Sequence, residues 1–139
     1  MTRLAKLRQL PASERRLAFR ALGSVALARV GVSLLSFPAL ARLLTRVQPR
    51  SRCSHSPDRI AWAIAAAGRL VPRSTCFTEA VAAHLLLRRC GWPAVLCLGV
   101  LRRPLYGLQA HAWVESQGRI LVGRGASEGF TRLARIGEP

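Results

Sequence analysis

Apolar positions recur at helical spacing from Ser13 to about Leu35, with Ser13 placed to cap and Glu14 in the first turn, where the helix dipole favours an acid. Ser36-Phe37-Pro38 restarts the pattern, because proline is tolerated in a first turn, and a second helix is expected to about Arg46. The two form a helical hairpin behind a short basic lead-in at residues 1–12. The segment QPRSRCSHSP, 48–57, has turn composition and no apolar period, so it reads as a linker. Ser56-Pro57-Asp58 opens a third helix that ends near Gly68.

Val71-Pro72 breaks that pattern, and Ser74 or Thr75 caps a fourth helix running from about Cys76 to Arg89 and stopped by Gly91 and Pro93. Phe77, Ala80, Val81, Leu85, Leu86 and Leu87 make this helix apolar on nearly every side, which predicts a central, buried position. The texture then changes. AVLCLGVLR at 94–102 is β-rich, RPLYG is a turn, LQAHAWVE alternates, SQGR turns about Gly118, and ILVG returns. Helices followed by strands predict an α+β fold, with the core helix packed on an antiparallel meander of three strands and a peripheral tail from Ala126. The expected organisation is a basic helical region at 1–47, a core at 56–125 and a tail at 126–139.

A chain of 139 residues is one domain with one core, and an apolar fraction of 50% supports a folded protein. The net charge of +16 suits a phosphate backbone, an acidic peptide or an acidic partner. All the basic residues but Lys6 are Arg and they are dispersed rather than clustered, which argues against nucleic acid as the partner. Residues 21–40 come nearest to a membrane span, but Arg29 sits at their centre. A helix packed on protein is expected, and the basic rims leave peripheral membrane contact open.

Cys53, Cys76, Cys90 and Cys97 form no C-x-x-C pair and follow no secretory signal, so reduced thiols in the cytoplasm are expected. Cys53-Ser54-His55 lacks a second half with zinc-like spacing and reads as an exposed linker pair, and no metal or cofactor is implied. A thiol nucleophile needs a lowered pKa, which a helix N-terminus supplies, and Cys76 alone is placed at one. His84 lies eight residues along the same helix, ~12 Å away, and cannot serve as its base. His111, mid-strand, can meet a helix start packed against the sheet, giving the Cys-on-helix, His-on-strand arrangement of thiol proteases.

RSTCFTEAVAAHLLLRRCGWPAVLCLGV at 73–100, followed by LQAHAWVESQGRILVG at 108–123, resembles the transglutaminase-like cysteine peptidases that mature lasso peptides, the stand-alone form of biosynthesis protein B. The resemblance rests on the Cys helix, the G-x-P-A turn at 91–94 and the AHAWVE strand in that order. It implies a bacterial cytoplasmic leader peptidase in which Cys76 is the nucleophile and His111 the base. It also implies three partners: the precursor's leader, a separate leader-recognition protein and an ATP-using macrolactam synthetase.

One departure stands out. The family's third member is an acid about a dozen residues after the His, and folding the hairpin about Gln117-Gly118 brings Gly123, Arg124 and Gly125 there instead. Glu115 lies about 13 Å along the strand from His111, leaving Glu128, Gln109 or a backbone carbonyl to hold the imidazole. Glu79 reads as a capping carboxylate. The missing acid supports a second reading, a peptide-binding scaffold of the same fold without activity, and charge alone supports a third, a basic nucleic-acid-binding protein.

Overall fold

The structure is a computed structural model and describes residues 3–50, 53–105, 107–123 and 129–137. Five helices precede four strands: α1 Arg3–Gln9, α2 Ala12–Leu34, α3 Phe37–Thr45, α4 Pro57–Gly68, α5 Cys76–Arg89, β1 Val95–Arg103, β2 Gly107–Ser116, β3 Arg119–Val122 and β4 Thr131–Ile136.

Three helix starts follow from hydroxyl caps. Ser36 Oγ accepts from the Ala39 amide, Ser56 Oγ from Arg59 and Thr75 Oγ1 from Thr78, each satisfying one donor that the first turn leaves unpaired. The start of α2 departs from expectation. Pro11 precedes it in an extended conformation, its carbonyl accepts from the Arg15 amide, and Ser13 falls inside the first turn. The basic lead-in is itself helical at α1.

Helix α5 is the centre of the molecule. Its residues from Ala80 to Leu87 are all buried, between α2 and α4 on one side and the sheet on the other. Leu17, Ala21, Val25 and Ala28 of α2 and Ile60, Ala63 and Ile64 of α4 meet it from outside, and Leu96, Ala112 and Val114 from the sheet. A fully buried Leu contributes about 1.5–3 kcal/mol, so this continuous run is the main apolar anchor of the fold. His84 lies inside it, fully buried, with Nε2 3.4 Å from the Leu44 carbonyl.

The sheet is antiparallel in the order β3-β2-β1-β4. The meander expected from the sequence is β1-β2-β3, and its last turn is the two-residue loop Gln117-Gly118, both residues at positive φ, as a tight hairpin demands. The expectation of three strands and a peripheral tail fails at residues 131–136, which pair with β1 as a fourth strand. The expectation of four reduced thiols fails as well. Cys53 and Cys90 form a disulfide with a Cα–Cα distance of 5.0 Å. The 48–57 segment is accordingly pinned to the end of α5, where the Trp92 indole also donates to the His55 carbonyl at 3.1 Å. Cys53 and His55 are half-buried rather than an exposed pair, and the Arg20 guanidinium donates to Cys53 Sγ.

Candidate functional site

Cys76 is the first residue of α5 and is exposed. The chain reaches it through Val71-Pro72 and a turn in which Arg73 holds a φ of 60°, a conformation non-glycine residues rarely adopt. Thr75 then caps the helix, so the Cys76 sulfur starts where unpaired amides and the positive end of the dipole converge. Thr78, not Glu79, is the residue that closes on the cap. The expectation that Glu79 is a capping carboxylate is corrected: its side chain lies against Gly68 of α4, where a Cβ would come within 2.0 Å of Oε1. Burial there holds its pKa above the ordinary carboxylate value, with Arg69 opposing.

His111 lies on β2 opposite Gly99 of β1 and is half-buried. Ala112 and Val114 belong to the core that α5 closes, so alternation puts His111, Trp113 and Glu115 on the other face. The His111 and Trp113 rings stack, with centroids 6.2 Å apart and planes 21° apart, and Phe130 lies against the imidazole at 5.5 Å. The Nε2 atom of His111 is 3.3 Å from the carbonyl oxygen of Gly123. A proton on Nε2 makes that contact a hydrogen bond and leaves the Nδ1 lone pair available.

Gly123 has a φ of 84°, and a Cβ there would meet the Ala112 carbonyl and the Trp113 Cβ, both at 2.8 Å. Glycine is therefore demanded where the resemblance expects an acid, and its backbone supplies the acceptor. Arg124, Gly125 and Glu128 lie outside the described residues. Glu115 is committed elsewhere, accepting from the Trp113 indole at 3.1 Å and from Arg132 at 3.0 Å. Gln109 is exposed on β2 and is not the partner that His111 takes.

Cys76 and His111 both border a cleft of about 400 Å3 at the start of α5, although alternation directs the imidazole itself to the sheet face away from that helix. No hydrogen bond links them among the described residues: the imidazole contacts Trp113, Phe130 and the Gly123 carbonyl instead. The rest of the wall is apolar: Phe37 from α3, Phe77 from α5, Leu98 and Val100 from β1, and Leu133 from β4. Cys76 and His111, the two residues singled out by sequence, both border this cleft, and a backbone carbonyl is among the partners that the sequence leaves for the imidazole. Sequence patterning missed Phe37, Phe130 and Leu133, which reach the site from segments far away in sequence. His84 is not in the cleft. Among the described residues no group of three His, Cys, Asp or Glu side chains could hold a metal ion.

Helices followed by an antiparallel sheet, with a thiol at the start of the buried helix and a histidine on the sheet, define the class of α+β domain to which the chain conforms. The chain belongs to the transglutaminase-like superfamily, whose family model matches residues 19–135. The superfamily includes cysteine peptidases. No curated protein and no solved structure gives a significant match.

Proposed function

We propose that the protein is a cysteine peptidase that removes the leader from a ribosomally synthesised lasso-peptide precursor. The reading is carried by the shared cleft of Cys76 and His111, with Nε2 of the histidine on the Gly123 carbonyl. The leader and the lasso product come from the resemblance of residues 73–100 and 108–123 to the maturation peptidases.

The steps of this reading require the His111 ring to turn from the Gly123 carbonyl toward the sulfur. His111 takes the Cys76 thiol proton at Nδ1, and the thiolate attacks the scissile carbonyl carbon, forming an S–C bond. The imidazolium then protonates the leaving amine as the C–N bond breaks. Water, deprotonated by the same nitrogen, releases the new carboxylate and restores the thiol. The first amides of α5 stabilise negative charge near the sulfur. The apolar wall receives an apolar side chain of the peptide beside the cleavage point. A separate recognition protein presents the leader, and a macrolactam synthetase consumes the product.

Incubation of the protein with precursor and recognition protein, followed by mass spectrometry, tests this. Leader release is expected, and release that persists in Cys76→Ala would overturn the assignment. A second reading, a peptide-binding scaffold without turnover, is favoured by one observation: a neutral carbonyl stands where an acid would stabilise the imidazolium. It predicts leader binding with iodoacetamide reactivity at Cys76 no higher than that of a free thiol.

A further inference from the structure

Helix α2 carries apolar residues on its core side and on its outer side, with Arg29 hydrogen-bonded to Ser33 beside the outer stripe. Exposed apolar surface of that extent seeks a core or a bilayer. Among the described helices it alone is long and apolar enough to cross a membrane, with a mean hydropathy of 1.5, yet only 28% of that window is buried. Leu17, Ala21, Val25 and Ala28 face the core. The opposite side carries Phe19, Gly23, Ala26, Leu27, Val30 and Leu34, all exposed, with Phe19 at 65% and Leu34 at 78%. The stripe widens sideways. Trp62 of α4 and Leu70 in the turn after it border a groove with Phe19, and Leu43 of α3 borders another with Leu27 and Val30.

The charges around this surface are predominantly arginine, and Glu14, which lines the groove beside Phe19, is ion-paired with Arg59. Arg15 and Arg16 are exposed at one end of the stripe, Arg42 on α3 and Arg46 at its C-cap, and Arg59 stacks over the exposed Trp62 at 4.2 Å. The acids of the described α1–α4 region are Glu14 and Asp58, and each is held by an arginine, Glu14 by Arg59 and Asp58 by Arg119. An occupant must therefore offer hydrocarbon to the stripe and anions to its rim, in parallel layers. A bilayer containing anionic lipid does both, with the arginines and the Trp62 indole at the headgroups. Crossing the bilayer would strip Leu17, Ala21 and Val25 from the core, so the helix lies in the plane of the interface.

We propose that α2, flanked by α3 and α4, is a peripheral docking face for an anionic membrane surface. The inference is independent of the chemistry at Cys76.

Sedimentation of the full chain with phosphatidylglycerol–phosphatidylcholine vesicles, against phosphatidylcholine alone, tests it. Binding is expected to the anionic vesicles, to weaken with salt, and to be removed by alkaline carbonate. Val30→Glu with Leu34→Glu should reduce it at least about tenfold. Arg15→Gln with Arg16→Gln, which leaves the stripe intact, should reduce it about fivefold per arginine and keeps the test decisive if the first variant misfolds. Absence of binding to anionic vesicles overturns the proposal, as does binding indifferent to both variants or resistant to carbonate. A dimer that the glutamate pair dissociates, without lipid binding, would assign the face to a second copy and also overturn it.

Discussion

His111 hydrogen-bonds through Nε2 to the carbonyl of Gly123, 3.3 Å away, at a residue where a Cβ would collide with the neighbouring strand. A carbonyl orients the imidazole and selects its tautomer, but it adds no negative charge to steady an imidazolium. Restoring an acid at this position should fail. Gly123→Asp is expected to lower stability by about 2 kcal/mol or more, from positive φ and overpacking together, without raising turnover. Thermal melts and leader-cleavage rates measured side by side check this, and faster cleavage by the variant would refute it.

Thr75 ties helix stability to the thiol. Replacing it with Val removes the acceptor for the Thr78 amide and should cost about 1 kcal/mol. Fraying the first turn also displaces the Cys76 sulfur from the cleft, so leader cleavage should slow. Thr75→Ser, which keeps the oxygen, should retain both properties.

His84 makes stability depend on acid. Burial pushes its pKa from 6.5 down to about 4, against the Leu44 carbonyl contact, which raises it, while Arg88 adds to the lowering. Between those values the unfolded chain binds a proton that the folded one refuses, so stability is full above 6.5 and falls as pH drops toward 4. The loss is about 3 kcal/mol. Melting temperatures across that window should decline for the native chain and decline less for His84→Gln.

The Cys53–Cys90 disulfide closes a loop with a sequence separation of 37. Loop-closure entropy gives such a crosslink about 3–4 kcal/mol. Dithiothreitol should lower the denaturant midpoint of the native chain and leave that of a Cys53→Ser/Cys90→Ser variant unchanged. Peptide mapping without reductant should recover residues 53 and 90 in one linked fragment.

Local chemistry made much of this fold legible. Ser36, Ser56 and Thr75 cap where hydroxyls precede apolar periods, and the Gln117-Gly118 hairpin follows from turn chemistry. The apolar run after Cys76 called for a central helix, and α5 is one. What escaped depends on pairing across distance. TRLARI at 131–136 interleaves arginine with aliphatic residues and shows no clean alternation, so nothing local marks it as a strand beside β1. Cys53 and Cys90 looked like reduced thiols because their bond depends on the linker folding back over α5. The cleft wall was hidden for the same reason, since Phe37 and Leu133 come from opposite ends of the chain.

The fourth strand also imposes an order on biosynthesis. It supplies Leu133 to the cleft, and the Gly137 that follows it packs so closely on His84 that a Cβ would stand 2.5 Å from the ring. On the ribosome the thiol helix emerges well before this strand, and until residues 131–137 clear the exit tunnel one edge of β1 stays unpaired and His84 uncovered. A nascent chain therefore carries Cys76 before it carries the last strand of the cleft wall beside it.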